Sequence, residues 1–222
     1  MIELRPGLWH WQAPHPEWNA EQRWPREVSS YAVDDGTHLI LIDPQTVPKE
    51  LLALAEDRVP VVLLTAPWHE RDTRILVERL GAAVYAPRPD TAADLMAKFH
   101  VTAEQAGDGS PDLTWLRERN TEAHFYGAGD RLPIGVEAFL GREHNDLVLW
   151  MPSIRAVIAG DTLVDFGPQS GGGFGINPWL RGDVTREEVV KRLRPLLALP
   201  VEFVLPPHGV PTDLAALERA LA

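Results

Sequence analysis

Residues 59–64 read Val-Pro-Val-Val-Leu-Leu, an apolar run without a polar member. A strand with one face in water alternates apolar and polar residues. An unbroken run must instead be covered on both faces. The neighbouring sequence supplies cover. Residues 48–57 read as a short helix with Pro48 in its first turn. Residues 71–80 carry Ile75, Leu76, Val77 and Leu80 at helical spacing, and Gly81 follows as a helix-ending glycine. Residues 83–86 are the next strand. Upstream, residues 29–33 and 39–42 are apolar runs separated by Asp34-Asp35-Gly36, a hairpin signal, and Asp43-Pro44 stops the second run.

Residues 91–99 are expected to be helical, and residues 111–119 can hold a helix. The chain then turns to strands at 134–140, 146–151 and 156–158, with a glycine-rich loop at 169–175. A helix follows at 185–197, opened by Thr185 with Glu188 three residues on as a capping box and ended or kinked by Pro195. A strand at 201–205 and a helix at 211–221 close the chain. Strands with helices, twice over and with no low-complexity linker, predict one α/β (α+β) domain over residues 1–222. Its two sheets pack face to face with helices outside, a four-layer αββα sandwich.

Composition narrows the functional classes. Apolar residues make up 45% and charged residues 24%, ordinary for a chain that buries a core. The net charge of -11 argues against nucleic acid as a partner. There is no cysteine, which removes disulfides, thiolate ligands and a cysteine nucleophile. No basic-then-apolar leader opens the chain and no apolar stretch approaches the ~20 residues of a bilayer span, so no membrane partner is expected and the expected location is the cytoplasm. Oligomeric state is not legible. Trp9, Trp11, Trp18 and Trp24 crowd the start with Pro6, Pro14, Pro16 and Pro25, so that segment reads as a short strand and an ordered aromatic loop. Trp9, Trp11 and Trp150 are expected in the core.

Three loops just past the carboxyl ends of apolar strands carry titratable side chains. They are Thr65-Ala66-Pro67-Trp68-His69-Glu70-Arg71-Asp72, Gly160-Asp161-Thr162 and Pro206-Pro207-His208-Gly209. One Asp or His at such a place is usually a cap or turn residue. Three such loops in one chain point to a small-molecule site. Residues 171–175 lack the Gly-x-x-x-x-Gly-Lys spacing of a phosphate loop and are expected to cover the pocket.

The order of these loops, with the opening hairpin, resembles the metallo-β-lactamase superfamily over nearly the whole chain. The resemblance implies that Asp161 and His208 are metal ligands. The family's Thr-His-x-His-x-Asp-His motif is rewritten here. Aligned on Thr65, Ala66, Trp68 and Arg71 stand where histidines are expected and Glu70 where the aspartate is, while Arg142 takes the place of the middle histidine. The Trp68-His69-Glu70-Arg71 run and the loop from Ala13 to Trp18 also resemble a subgroup labelled hydrolases by analogy.

Two functions follow. In the first, His69, Asp161 and His208 hold one zinc or iron ion and Glu70 or Asp72 orients water or acts as base, giving a hydrolase of a small ester or amide. In the second, the fold is metal-free and non-catalytic and binds a small ligand or partner. Arg71 then pairs with Asp161 or takes an anion. Trp68, His15 and His144 are candidate ligand-binding residues in either case.

Overall fold

The computed structural model describes residues 1–118, 123–167 and 173–222. Its first sheet has seven strands in chain order: β1 (Ile2–Arg5), β2 (Leu8–Pro14), β3 (Glu27–Asp34), β4 (His38–Ile42), β5 (Val59–Leu63), β6 (Ala83–Pro87) and β7 (His124–Tyr126). The first four are antiparallel neighbours, and β4 to β7 run parallel. The second sheet contains β8 (Arg131–Leu132), β9 (Val136–Glu143), β10 (Asp146–Met151) and β11 (Ala156–Ile158). A small hairpin follows, β12 (Leu163–Asp165) with β13 (Phe174–Ile176), and β14 (Phe203–Leu205) returns to pair in parallel with β11.

Three apolar clusters show the layering. Val61 and Leu63 of β5 meet Leu147 and Leu149 of β10 between the sheets. Val62 and Leu64 point the other way, into a cluster with Leu51 of α1 (Lys49–Leu54) and Leu76 of α2 (Thr73–Leu80). On the far side Val148 and Val157 pack under Val189, Val190 and Leu193. Residues 61–64 are thus split residue by residue between two cores, which is why none of them is polar, while Val59 at the start of the strand is half exposed. The chain is an αββα sandwich, as its pattern implied.

Most element ends fall within a few residues of expectation. Gly81 sits left-handed at φ 65° and ends α2. Thr91 and Asp94 cap α3 (Ala92–Phe99) reciprocally, and α4 (Ala103–Ala106) follows. In the 111–119 stretch, helix α5 is Trp115–Glu118, and Arg119 lies outside the described residues. The expected helix at 185–197 is divided. It begins with α6 (Arg186–Leu193), capped by Thr185 and Glu188, and tightens into a 3-10 turn from Arg194 because Pro195 has no N–H to donate. α7 (Leu214–Ala220) is capped by Asp213.

Strand β9 runs to Glu143, three residues past the expected end at 140. This extension puts Arg142 inside the protein. The expected loop at 169–175 falls largely outside the described residues, and its described end begins β13. Trp11 and Trp150 are core residues, and Trp9 packs partly buried on the outer cluster. Among the described residues no helix is long and apolar enough to cross a membrane.

Candidate functional site

The three loops converge at one edge of the sandwich, on a cleft of about 400 Å³. Its floor holds Trp68, His69, Arg71, Arg142, Asp161 and His208. Trp24, Phe166 and Trp179 form aromatic walls, and Lys98, Arg181, Asp90, Glu143, His15 and Glu17 stand around them.

The first loop is set by Asp43, whose role sequence reasoning missed. Asp43 closes β4 in a left-handed conformation (φ 42°). Its carboxylate accepts the Thr65 N–H at 2.9 Å, the Thr65 hydroxyl at 2.6 Å and His69 Nδ1 at 3.1 Å. A 3-10 turn over Pro67–His69 brings the imidazole back over Thr65. With Nδ1 committed, Nε2 faces Asp161 Oδ1 at 3.4 Å. A histidine oriented by a carboxylate behind it is the arrangement that fixes tautomer and direction in metal and acid–base sites.

The second loop depends on Asp146, also unremarked in the sequence because it reads as the first residue of an apolar strand. It is fully buried and accepts from Arg142 Nε at 2.7 Å, the Asp161 N–H at 2.9 Å and the Thr162 hydroxyl at 3.1 Å. Gly160 passes so close that an added Cβ would lie 2.6 Å from Leu147 O and 2.7 Å from Asp146 Oδ1, and its φ is +53°. Gly160→Ala is therefore expected to cost about 1–3 kcal/mol of stability and to displace Asp161. Chemical denaturation checks the first effect, and an unchanged midpoint would refute the packing argument.

The third loop is bolted to β3. Tyr31 donates its hydroxyl to Pro206 O at 2.7 Å, and the Ser29 N–H donates to Pro207 O at 2.7 Å. His208 then stands between the edges of Trp24 and Phe166, with Nε2 3.6 Å from Asp161 Oδ1 and Nδ1 buried without a partner.

Asp161 is the meeting point. Oδ2 accepts from Trp68 Nε1 at 3.0 Å and Arg142 Nη2 at 3.3 Å. Oδ1 is buried, makes no hydrogen bond, and faces both imidazoles. Burial alone would raise its pKa. His69 first, then Arg142 and His208, outweigh burial and hold the carboxyl well below the usual range. Burial lifts Asp146 to about 6 against the pull of Arg142, with the Asp161 charge adding to the rise. The two histidines also diverge. Burial works to lower His69, but Asp43 and Asp161 raise it to about 9. Burial lowers His208 to about 3, with Arg71 and His69 reinforcing it against Asp161. A charged and a neutral imidazole thus flank one carboxylate oxygen at neutral pH.

The remaining candidates are placed as follows. Arg71 is not paired with Asp161. Its Nη1 donates to Asp43 O at 2.6 Å and Ser29 O at 3.0 Å, and Arg142 makes the Asp161 contact instead. Glu70 turns out of the cleft to accept the Leu113 N–H at 2.7 Å and the Trp115 indole N–H. Asp72 ties the loop after β4, accepting the Thr46 N–H at 2.6 Å. The structure therefore does not bring either carboxylate to the floor. His15 lines the cleft against the edge of Trp24. His144 is half exposed outside it, 3.5 Å from Asp90.

Among the described residues, Asp90, Asp94 and His144 form the one group of three acidic or histidine donors with all ligand atoms within 4.8 Å of one another. Two of them are already engaged. Lys98 Nζ lies 2.7 Å from Asp90, and Asp94 caps α3.

No family model and no curated protein matches the sequence. Solved structures do. TTHA1623 in a di-iron-bound form is 27% identical, matches 88% of this chain and 94% of its own, and superposes with a TM-score of 0.56. The DIM-1 metallo-beta-lactamase is 14% identical over 99% of this chain and 93% of its own, with a TM-score of 0.60. A metallo-beta-lactamase from Erythrobacter litoralis is 13% identical over the same shares, with a TM-score of 0.61.

Proposed function

We propose that this chain, which has the fold of the metallo-β-lactamases, is a hydrolase-like enzyme that cleaves a small ester or amide over Asp161 with one metal ion. The observation that carries this reading is Asp161 Oδ1, a buried carboxylate oxygen without a hydrogen bond, set between two imidazole Nε2 atoms at 3.4 and 3.6 Å. Those spacings match the roughly 3.3 Å between neighbouring ligand atoms when metal–ligand bonds are ~2.0–2.1 Å. The donors suit one ion in kind, two nitrogens and one oxygen. As placed, the two imidazoles do not close to within 4.8 Å of each other, so holding one ion would require them to draw together. A second ion has no place on Asp161, because Trp68 and Arg142 take Oδ2.

When bound, the ion supplies a water ionised near neutral pH and polarises the substrate carbonyl. The chain's own residues do the rest. Asp43 and Thr65 aim His69 and keep its Nδ1–H, so that Nε2, with its proton lost to solvent, would be the atom that holds the ion. Trp68 and Arg142 hold Asp161 in one orientation. Trp24, Phe166 and Trp179 present apolar surface and reduce the water beside the scissile group. Glu70 and Asp72 take no part.

The test is metal content and turnover together, on protein purified without chelator or metal-binding tag. About one equivalent of zinc or iron is expected, with hydrolysis of small aryl esters or amides. Asp161→Asn and His208→Ala are expected to lose both, turnover by about 10²–10³-fold or more, while circular dichroism stays unchanged. Wild-type protein that takes up no metal from excess zinc or iron would refute the one-ion reading.

A further inference from the structure

Residues 91–108, which hold α3 and α4, leave the body of the protein and rejoin it at nearly the same point. The Ser110 N–H donates to Asp90 O at 2.8 Å, and Gly109 lies so close that an added Cβ would fall 2.6 Å from the same oxygen. Gly107 and Gly109 take positive φ there, 52° and 98°. An excursion whose two ends touch can turn as a unit about them. Little apolar surface holds it down. Among the described residues of 91–108, only Ala106 is buried. Leu95, Met96 and Phe99 join none of the three apolar clusters, and α3 packs on α4. Segments with few buried apolar contacts are the ones that open locally.

Polar contacts hold this excursion to the body, and they stand in the cleft. Lys98 of α3 sets its ammonium between Asp90 Oδ2 at 2.7 Å, at the base of the excursion, and Glu143 Oε2 at 2.5 Å, at the end of β9. Asn145 Oδ1 is 3.4 Å away. Glu143 Oε1 faces Arg181 at 3.6 Å, and the Arg181 guanidinium lies 4.8 Å over the Phe99 ring. Lys98, Glu143 and Arg181 also line a neighbouring pocket of about 290 Å³, with Asp94, His144 and Asp183. The cleft and this pocket thus share a wall built on the Lys98–Glu143–Arg181 contact.

We propose that residues 91–108 are a hinged cap latched by the Lys98–Glu143 pair, and that its release joins the cleft to the neighbouring pocket, so that the latch sets the length of molecule the site admits. Release leaves neither carboxylate bare. Glu143 keeps Arg181, and Asp90 keeps His144 at 3.5 Å. The meaning of the motion for function rests on the cleft being the substrate site. The motion itself belongs to the chain, and its test needs neither metal nor turnover, so it stands or falls separately from hydrolysis.

The chain has no cysteine, so spin labels can be introduced one pair at a time. Met96→Cys with Glu187→Cys spans the cap and α6, and Arg79→Cys with Glu187→Cys spans two helices of the body. Pulsed electron-spin distance measurements with Lys98 in place are expected to give a broad cap–body distribution with a longer shoulder, beside a narrow body–body one. Lys98→Met keeps the apolar stem and removes the charge, and is expected to move the cap–body distance outward by half a helix diameter, roughly 5 Å. Lys98→Arg is expected to keep the original distribution. A cap–body distribution as narrow as the body–body one would overturn the proposal without any change at Lys98. So would a cap–body distance unmoved by Lys98→Met, or one that moves only together with the body–body distance, since the whole fold would then be loosened.

Discussion

Asp146→Ala is expected to lower the free energy of unfolding by about 3–5 kcal/mol, the loss seen when one partner of a buried ion pair is removed. The carboxylate is fully buried and holds Arg142, the Asp161 N–H and the Thr162 hydroxyl. Alanine leaves two neutral donors unsatisfied and leaves Arg142, beside the Trp179 carbonyl, only Asp161 and the more distant Glu143 as carboxylate partners, at 3.3 and 3.9 Å. For a chain of this size the loss corresponds to a thermal midpoint about 10 °C lower. Thermal and urea unfolding of the variant measure it. A loss below about 1 kcal/mol would mean that water replaces the carboxylate and that the Asp146 network is not what holds the Gly-Asp loop.

Asp43→Asn is expected to cost about 3 kcal/mol at pH 6.5 and to change the shape of the stability–pH curve. In the wild type, His69 titrates at about 9 when folded against 6.5 for the ordinary group. A raised histidine contributes stability that is full below 6.5 and lost as pH climbs through 9. His10 and His208 have the opposite sign. Burial first lowers them to about 4 and about 3, so below 6.5 the unfolded chain takes up protons that the folded chain refuses. Wild-type stability therefore peaks near pH 6.5 and declines on either side. The shift of His69 sets the alkaline limb at up to about 3 kcal/mol.

Asparagine removes the strongest attraction holding the His69 proton and the nearest charge to Arg71. The alkaline decline between pH 6.5 and 9 should shrink, while the acid decline remains. Urea unfolding of both proteins at pH 5, 6.5 and 9 reads this directly. Parallel curves for the two would show that Asp43 does not govern the His69 proton. If the one-ion reading holds, the same change also weakens metal binding by about 10–100-fold through His69's orientation.

The site was partly legible in the chain. His69, Asp161 and His208 sit in loops that end apolar strands, and loops at strand carboxyl ends meet wherever parallel strands share an edge. Arg142 was legible only as a residue standing in a histidine's place. Its burial against Asp161 follows from β9 running on to Glu143, which no local pattern signals. Glu70 and Asp72 share the loop of His69 but point elsewhere, because in a 3-10 turn and a left-handed residue the direction of each side chain changes from one position to the next.

Sequence alone determined the layers and the edge where chemistry collects. The unalternating run at 59–64 demanded cover on both faces, and the β-strand and helix periods assigned the residues that provide it. Only the tertiary structure decided the charges. Asp43 and Asp146 became the anchors of the site, and Arg142, not Arg71, became the partner of Asp161, while Arg71 donates to the carbonyls of Ser29 and Asp43. Apolar patterning is local and repeats with the backbone. Pairing among buried ionisable groups depends on distances of 3–4 Å between residues up to a hundred positions apart, which packing alone sets.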